Sequence, residues 1–421
     1  MMRGQSAMFS EAFLHIGTEK TGSTSIQRFL AKNRNELRRR GLFYPVSLGQ
    51  TNHHLITLYA LNNERAASLG NRKLRIAASR ALRGARVPSR EQIVARFESE
   101  VSKLEPEVDR LIISNEHLHS RLSEKDEFLR LRDFLSKFAH RLTVVVYLRR
   151  QDRVARSLAT THVKGGRGRA EFPAVEPASL PRYFDYYRII KEYDEYLKPD
   201  RFILRPFDRN AWVDNDLLSD FLAIFGLERD PEYEEIDPKN QSLSPAALDF
   251  LSTLGKYVPR HVSGKPNPNR KQLIKLLVQG YGGGGGIEVD RATARAFYQA
   301  FEESNRRLSR EYFSLDEGCI FDDDFSEYPE KLSGPDDPQD AAARIFGYLW
   351  TRTEEKARRL QVQNLVLEAR LNLATGDYQK AESAMRAVLA IRPNHPEVKR
   401  MLSACQARLD VDPPVQRAVG E

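Results

Sequence analysis

The chain has 421 residues, 41% hydrophobic and 29% charged, the balance of a soluble globular protein of two or three domains. Its two cysteines, Cys319 and Cys405, lie far apart and match no metal-ligand spacing, which argues against a disulfide framework and fits a reducing compartment. A net charge of +8 suits polyanionic ligands, yet no zinc-finger, RNP or KH pattern points to nucleic acid; no apolar run is long enough for a membrane span and no signal-peptide core opens the chain, so a cytoplasmic location is expected.

The first apolar run, Ala12–Ile16, reads as a strand. It passes through Gly17-Thr18-Glu19-Lys20-Thr21-Gly22-Ser23-Thr24-Ser25 into a helical pattern that extends from Ser23 to Arg40 and stops at Gly41. A strand turning through Gly, Lys and hydroxyl residues into a helix is a phosphate cradle. The first helical N–H groups have no intrahelical partner and the helix dipole favours an anion there. Lys20 adds a full charge, Ser23, Thr24 and Ser25 add hydroxyl donors, and Gly22 lets an oxyanion approach the backbone. The lysine precedes the last glycine, the reverse of the usual nucleotide-triphosphatase loop.

Leu42–Pro45 reads as a short extended piece, and Asn52 as the cap of a helix through Leu61. A strongly basic stretch, Arg65 to Arg96, follows; it suits a lid, a surface for an anionic acceptor or a solvated helix face. Leu111–Ser114 is a buried strand, ending in Asn115-Glu116-His117-Leu118. If the backbone stays extended there, Glu116 and His117 cannot both face one crevice. His53 and His54 are secondary candidates for acid–base work. Glu124–Phe138 is a helix leading to the β-branched strand Leu142–Leu148. That strand ends in Arg149, with Ser157 eight residues on. An Arg at a strand's carboxyl end sits where open α/β sheets bind ligands, and its planar fork suits a phosphate. Arg150, Arg153 and Arg156 read as a solvated basic face.

The order K-x-G-[ST]-[ST] after one strand, with Arg149 and Ser157 after another, resembles the two nucleotide motifs of sulfotransferases that use 3′-phosphoadenosine 5′-phosphosulfate (PAPS), in particular the bacterial glycan-type enzymes. The resemblance spans roughly residues 13–254. It implies that Lys20, Thr21, Gly22, Ser23 and Thr24 hold the 5′-phosphosulfate, and that Arg149 and Ser157 hold the 3′-phosphate. It implies Lys20 as a catalytic cation, and a base at Glu116 or His117, with Glu116 ranked first. It implies PAPS as co-substrate, no metal, and a glycan or small molecule as acceptor. A P-loop kinase or nucleotide triphosphatase is the alternative, and a non-enzymatic interaction protein another.

Ser179–Leu197 reads as a long aromatic helix, Arg201–Phe207 as a strand and Leu217–Phe225 as a helix. Ser244-Pro245 opens a further helix, preceded by Asn240-Gln241-Ser242-Leu243; the resemblance implies that this segment closes over the nucleotide. Gly282–Gly286 reads as a mobile loop. The expected architecture is α/β: a P-loop-like parallel sheet flanked by helices over residues 1–328, a linker at 329–340, and an all-helical extension at 341–421. Within that extension, Leu367–Pro393 with its Gly376-Asp377-Tyr378 turn resembles one tetratricopeptide repeat, which cannot bury its own face and implies a packing neighbour or a protein partner.

Overall fold

The computed structural model describes residues 9–68, 88–166, 168, 172–175, 179–236, 242–332 and 337–411. Much of the basic stretch, residues 69–87, lies outside them, as do 237–241. The chain divides into two units, Met1–Leu248 with Gly284–Ser333, and Asp249–Gly283 with Gly334–Glu421.

Among the described residues the first unit is built on five strands: β1 (Phe9–His15), β2 (Leu42–Phe43), β3 (Arg110–Ser114), β4 (Ala139–Leu148) and β5 (Arg201–Pro206). They form one sheet in the order β2-β3-β1-β4-β5, every pair parallel. Parallel strands are joined by crossover helices that cover both faces, so the central strands β1, β3 and β4 are mostly apolar and buried, while β5 at the edge, with Arg201 and Arg205, is only partly covered. Successive residues of β1 and β4 divide accordingly. Phe13, Val145 and Tyr147 pack with Ile26, Phe29 and Leu30 of α1 (Ser23–Lys32). Leu14, Val144 and Val146 pack on the opposite face with Phe128, Leu131 and Phe134. Truncating a side chain as enclosed as Phe29 would cost about 3–5 kcal/mol.

The remaining helices follow in order. α2 is Arg34–Arg39, α3 His54–Ala60, α4 Asn63–Ala67, α5 Arg90–Val101, α6 His117–Arg121 and α7 Lys125–Phe138. α8 is Gln151–Lys164, α9 Tyr186–Glu192 and α10 Leu217–Ala223. The single helix expected over Ser23–Arg40 is broken at Asn33, whose side-chain amide donates to Phe29 O and Glu234 O and accepts from Glu234 N. A short polar side chain that takes over backbone hydrogen bonds ends a helix. The aromatic helix expected from Ser179 starts only at Tyr186, where Asp185 accepts from Arg188 N, and finishes in a π-helical turn, Tyr193–Leu197.

After α11 (Pro245–Leu254), the second unit carries a small hairpin, β6 (His261–Val262) with β7 (Lys265–Pro266), and α12 (Pro268–Tyr281). α13 (Arg291–Gln299) and α14 (Glu302–Phe313) belong to the first unit. The second unit ends in α15 (Pro338–Ala374), α16 (Tyr378–Ile391) and α17 (Pro396–Val411), packed around Val362, Ala369, Met385, Val388 and Cys405. Gly376, with φ 80°, makes the turn before Tyr378, and Asp377 caps α16 by accepting from Lys380 N. No helix among the described residues is long and apolar enough to cross a membrane.

β1 connects leftward to β2 and β4 connects rightward to β5. The carboxyl ends of β1 and β4 therefore flank the reversal of strand order where open α/β sheets leave a crevice.

Candidate functional site

The loop from β1 to α1 is shaped by its own side chains. Thr18 Oγ1 donates to Tyr147 O at 2.6 Å, tying the loop to β4, and Thr21 Oγ1 donates to Thr18 O at 2.6 Å. Gly17, Lys20 and Gly22 all take positive φ, of 39°, 72° and 71°. A β-carbon on Gly22 would lie 2.3 Å from Leu217 Cδ2, so glycine is required there by both backbone and space. The N–H groups of Ser25 and Ile26 make the first bonds back to Gly22 O, at 2.8 and 3.1 Å. Those of Ser23 and Thr24 precede that first bond and mark the positive end of α1.

Arg149 leaves the end of β4 beside this loop. Its Nη1 donates to Lys20 O at 3.2 Å, its guanidinium lies 5.5 Å from the Phe207 ring centre, and Tyr186 donates to its carbonyl. Lys20 Nζ crosses to α8 and donates to Thr161 Oγ1 at 2.8 Å. One cavity of about 830 Å³ receives these groups. Lys20, Gly22, Ser23, Thr24, Glu116, His117, Arg149 and Ser157 all line it. Of the nucleotide-site residues expected from the sequence, Thr21 does not line the cavity, its side chain being fully buried and spent on the loop, and the secondary candidates His53 and His54 do not line it either.

The electrostatics of the cavity are lopsided. Burial lowers the Lys20 pKa, and the nearby Arg149 lowers it further against the opposing pull of Glu19. Burial likewise lowers Arg149, helped by Arg153. Neither cation is ion-paired with a carboxylate among the described residues. Two partly desolvated positive charges side by side raise each other's cost, and an anion between them would lower it.

No family model matches this chain, and no solved structure does. A protein of Archaeoglobus fulgidus described only as uncharacterized is 28% identical over 209 residues. The match covers 48% of this chain and 54% of that relative, so this chain spans about half the length of the protein it resembles.

Glu116 and His117 both line the cavity, contrary to the expectation from an extended backbone. Glu116 has already turned helical, with φ −69° and ψ −18°, so successive side chains diverge by about 100° and not 180°. Glu116 Oε2 accepts from Gln27 Nε2 at 2.8 Å and from Asn52 Nδ2 at 2.6 Å. Burial pushes the Glu116 carboxyl up, but the His117 ring and the Gln27 hydrogen bond outweigh it and hold the group below the usual carboxylate range. Asn52, expected as a helix cap, is instead this carboxylate's partner; His53 takes the cap position without a side-chain cap bond. His53 is closed off: its Nδ1 accepts from Ser114 N and its Nε2 donates to Pro45 O. His54 stacks on His117 with ring centres 5.5 Å apart, and burial with the His117 charge pushes its pKa down to about 4.

The arginines of α8 are not a solvated face. Arg150 is buried, with Nε 2.8 Å from Asp152 Oδ1 and Nη1 bonded to Asp322. Arg153 pairs with Asp322 and Glu327, and Arg156 reaches Glu327 and Ile287 O. The end of the glycine run, expected to be loose, is pinned on the same helix: Ile287 N donates to Thr160 Oγ1, and Gly285 lines the cavity. Gln27, Thr161 and Lys164 were missed from the sequence. Arg153, Ser157, Thr160, Thr161 and Lys164 lie on one face of α8 at spacings of three and four, and all line the cavity. That period was legible once Ser157 had been chosen.

Proposed function

We propose that this chain is a PAPS-dependent sulfotransferase, acting on an acceptor hydroxyl or amine, with a glycan as the expected acceptor class. The observation that carries this reading is that Lys20, the amino end of α1, Arg149 and Ser157 share one cavity at the carboxyl ends of β1 and β4. The donor carries anionic groups at both the 5′ and the 3′ positions of one adenosine's ribose. Lys20 with the Ser23 and Thr24 amides and hydroxyls suits the 5′ end, and Arg149 with Ser157 suits the 3′-phosphate. The P-loop-like character of the sheet rests on the same loop.

In the transfer, a bond from sulfur to the acceptor oxygen or nitrogen forms as the bond from sulfur to the 5′-phosphate oxygen breaks. The acceptor proton passes to Glu116, which its neighbours keep ionised. Charge grows on the departing phosphate oxygen, within reach of the lysine ammonium and the helix amides. Like phosphoryl transfer, this step depends on alignment and charge stabilisation more than on covalent help.

Calorimetry with 3′-phosphoadenosine 5′-phosphate in the absence of Mg²⁺ tests the reading. Binding is expected, weakened about tenfold or more by Lys20→Ala and by Arg149→Ala, about 1.4 kcal/mol or more each. Tight Mg²⁺-dependent binding of ATP with no response to the bisphosphate would overturn it. Incubation with radiolabelled donor and a panel of polysaccharides and small acceptors then identifies the acceptor.

A further inference from the structure

α15 presents a second apolar seam that its own unit does not use. Phe346, Thr353, Leu360 and Leu367 recur every seven residues, and Trp350, Ala357, Asn364 and Leu371 recur between them, giving steps of four and three throughout. This is the a/d spacing of a coiled coil, with Trp350, Ala357, Asn364 and Leu371 at a and the others at d. All eight are exposed, and the large apolar members, Phe346, Trp350, Leu360, Leu367 and Leu371, are between 49% and 64% exposed.

The rest of α15 is accounted for. Val362, Leu365, Val366, Ala369 and Leu373 lie on the opposite side and pack with α16 and α17. Tyr348, also on that side, meets Tyr281 of α12 edge-on with ring centres 5.5 Å apart. Between these anchors, twelve consecutive residues, 350–361, are exposed on every side. Three turns of helix with no packed face are marginal alone, since helical stability in proteins comes chiefly from burying an apolar face.

We propose that residues 346–371 pair with the same stretch of a second copy of this chain as a two-stranded coiled coil. The seam suits itself. Overlapped end to end, Asn364 meets its own mate if the helices run parallel, and Thr353 if they run antiparallel, so its amide finds a polar partner in either direction. The flanking positions agree. In the parallel arrangement Lys356 faces Gln361 and Gln363 faces Glu368; in the antiparallel one Lys356 faces Gln363 and Glu354 faces Gln361. Neither direction sets like charges opposite one another. A buried asparagine at an a position costs stability and limits oligomer number, which fits a dimer over larger bundles. The seam runs about 39 Å along the helix, and a symmetric pairing closes on itself.

Sedimentation equilibrium of the full chain at micromolar concentrations tests this. The expected mass is twice the 48.3 kDa of one chain. The double variant Leu360→Asp, Leu367→Asp should raise the dissociation constant at least a hundredfold while its far-ultraviolet circular dichroism stays that of the parent. Asn364→Leu, which removes the polar group from the seam, should lower it at least tenfold, so a misfolded aspartate variant still leaves the idea exposed to refutation. A chain that is monomeric across the range, a trimer or tetramer, or a dimer whose dissociation neither variant moves would overturn it.

Discussion

Lys20 stands in the left-handed region, which costs a non-glycine residue on the order of 1–2 kcal/mol. That cost is retained at a point where the chain aims an ammonium into a cavity beside an arginine, as strained residues at ligand sites do. Glu116 gives a separate prediction. On the proposed sulfotransferase reading, Glu116→Gln keeps the Gln27 and Asn52 neighbourhood but removes the proton acceptor, so turnover should fall about 100-fold or more while bisphosphate affinity stays within about twofold. Single-turnover rates alongside calorimetry check this; a full loss with His117→Asn and none with Glu116→Gln would reassign the base. Lys20 and Arg149 could be chosen from the sequence because lysine near glycine and arginine after a β-branched strand are local patterns, whereas Ser157 follows from the spacing that the sulfotransferase resemblance implies. Gln27 and Asn52 could not, because their shared partner, Glu116, is 89 and 64 residues away along the chain.

At the scale of elements, α1 and α8 each depend on one feature. Gly22→Ala forces a left-handed alanine against Leu217, and unfolding by urea should show a loss of about 2 kcal/mol or more. In α8, Asp152 accepts from both Arg150 and Tyr328, all three being buried. Asp152→Ala leaves the Arg150 charge short of a partner inside the protein, and a destabilisation of about 3 kcal/mol or more is expected by the same measurement. β1 and β4 were readable since strands buried on both faces are apolar throughout. The inner face of α8 was not. A run of arginines looks like a solvated surface until the acids that answer it are known, and Asp322 lies 172 residues from Arg150.

For the whole molecule, buried histidines set the response to acid. Burial is the chief cause that pushes His15 down to about 4, and His53 and His119 down to about 3. Their unfolded forms take up protons near pH 6.5, so between that value and the folded-state values the unfolded chain binds more protons. Stability is then fully present above about pH 6.5 and drains away as pH falls towards 4, by up to about 1.4 kcal/mol per pH unit for each histidine. Urea midpoints should drop between pH 7 and pH 5, and a flat profile over that interval would contradict the assignment.

The all-parallel sheet carries a consequence for how the chain acquires its shape. β1 sits in the middle, yet His15 and its neighbour Ser114 are 99 residues apart, and Thr18 reaches Tyr147 across 129. During synthesis the first strand emerges long before either flank exists, and nothing nearby can zip onto it. Closure of such distant loops governs the pace, so renaturation should be slow for a chain this rich in helix. A nascent chain stopped short of Ala139 lacks one wall of its central strand.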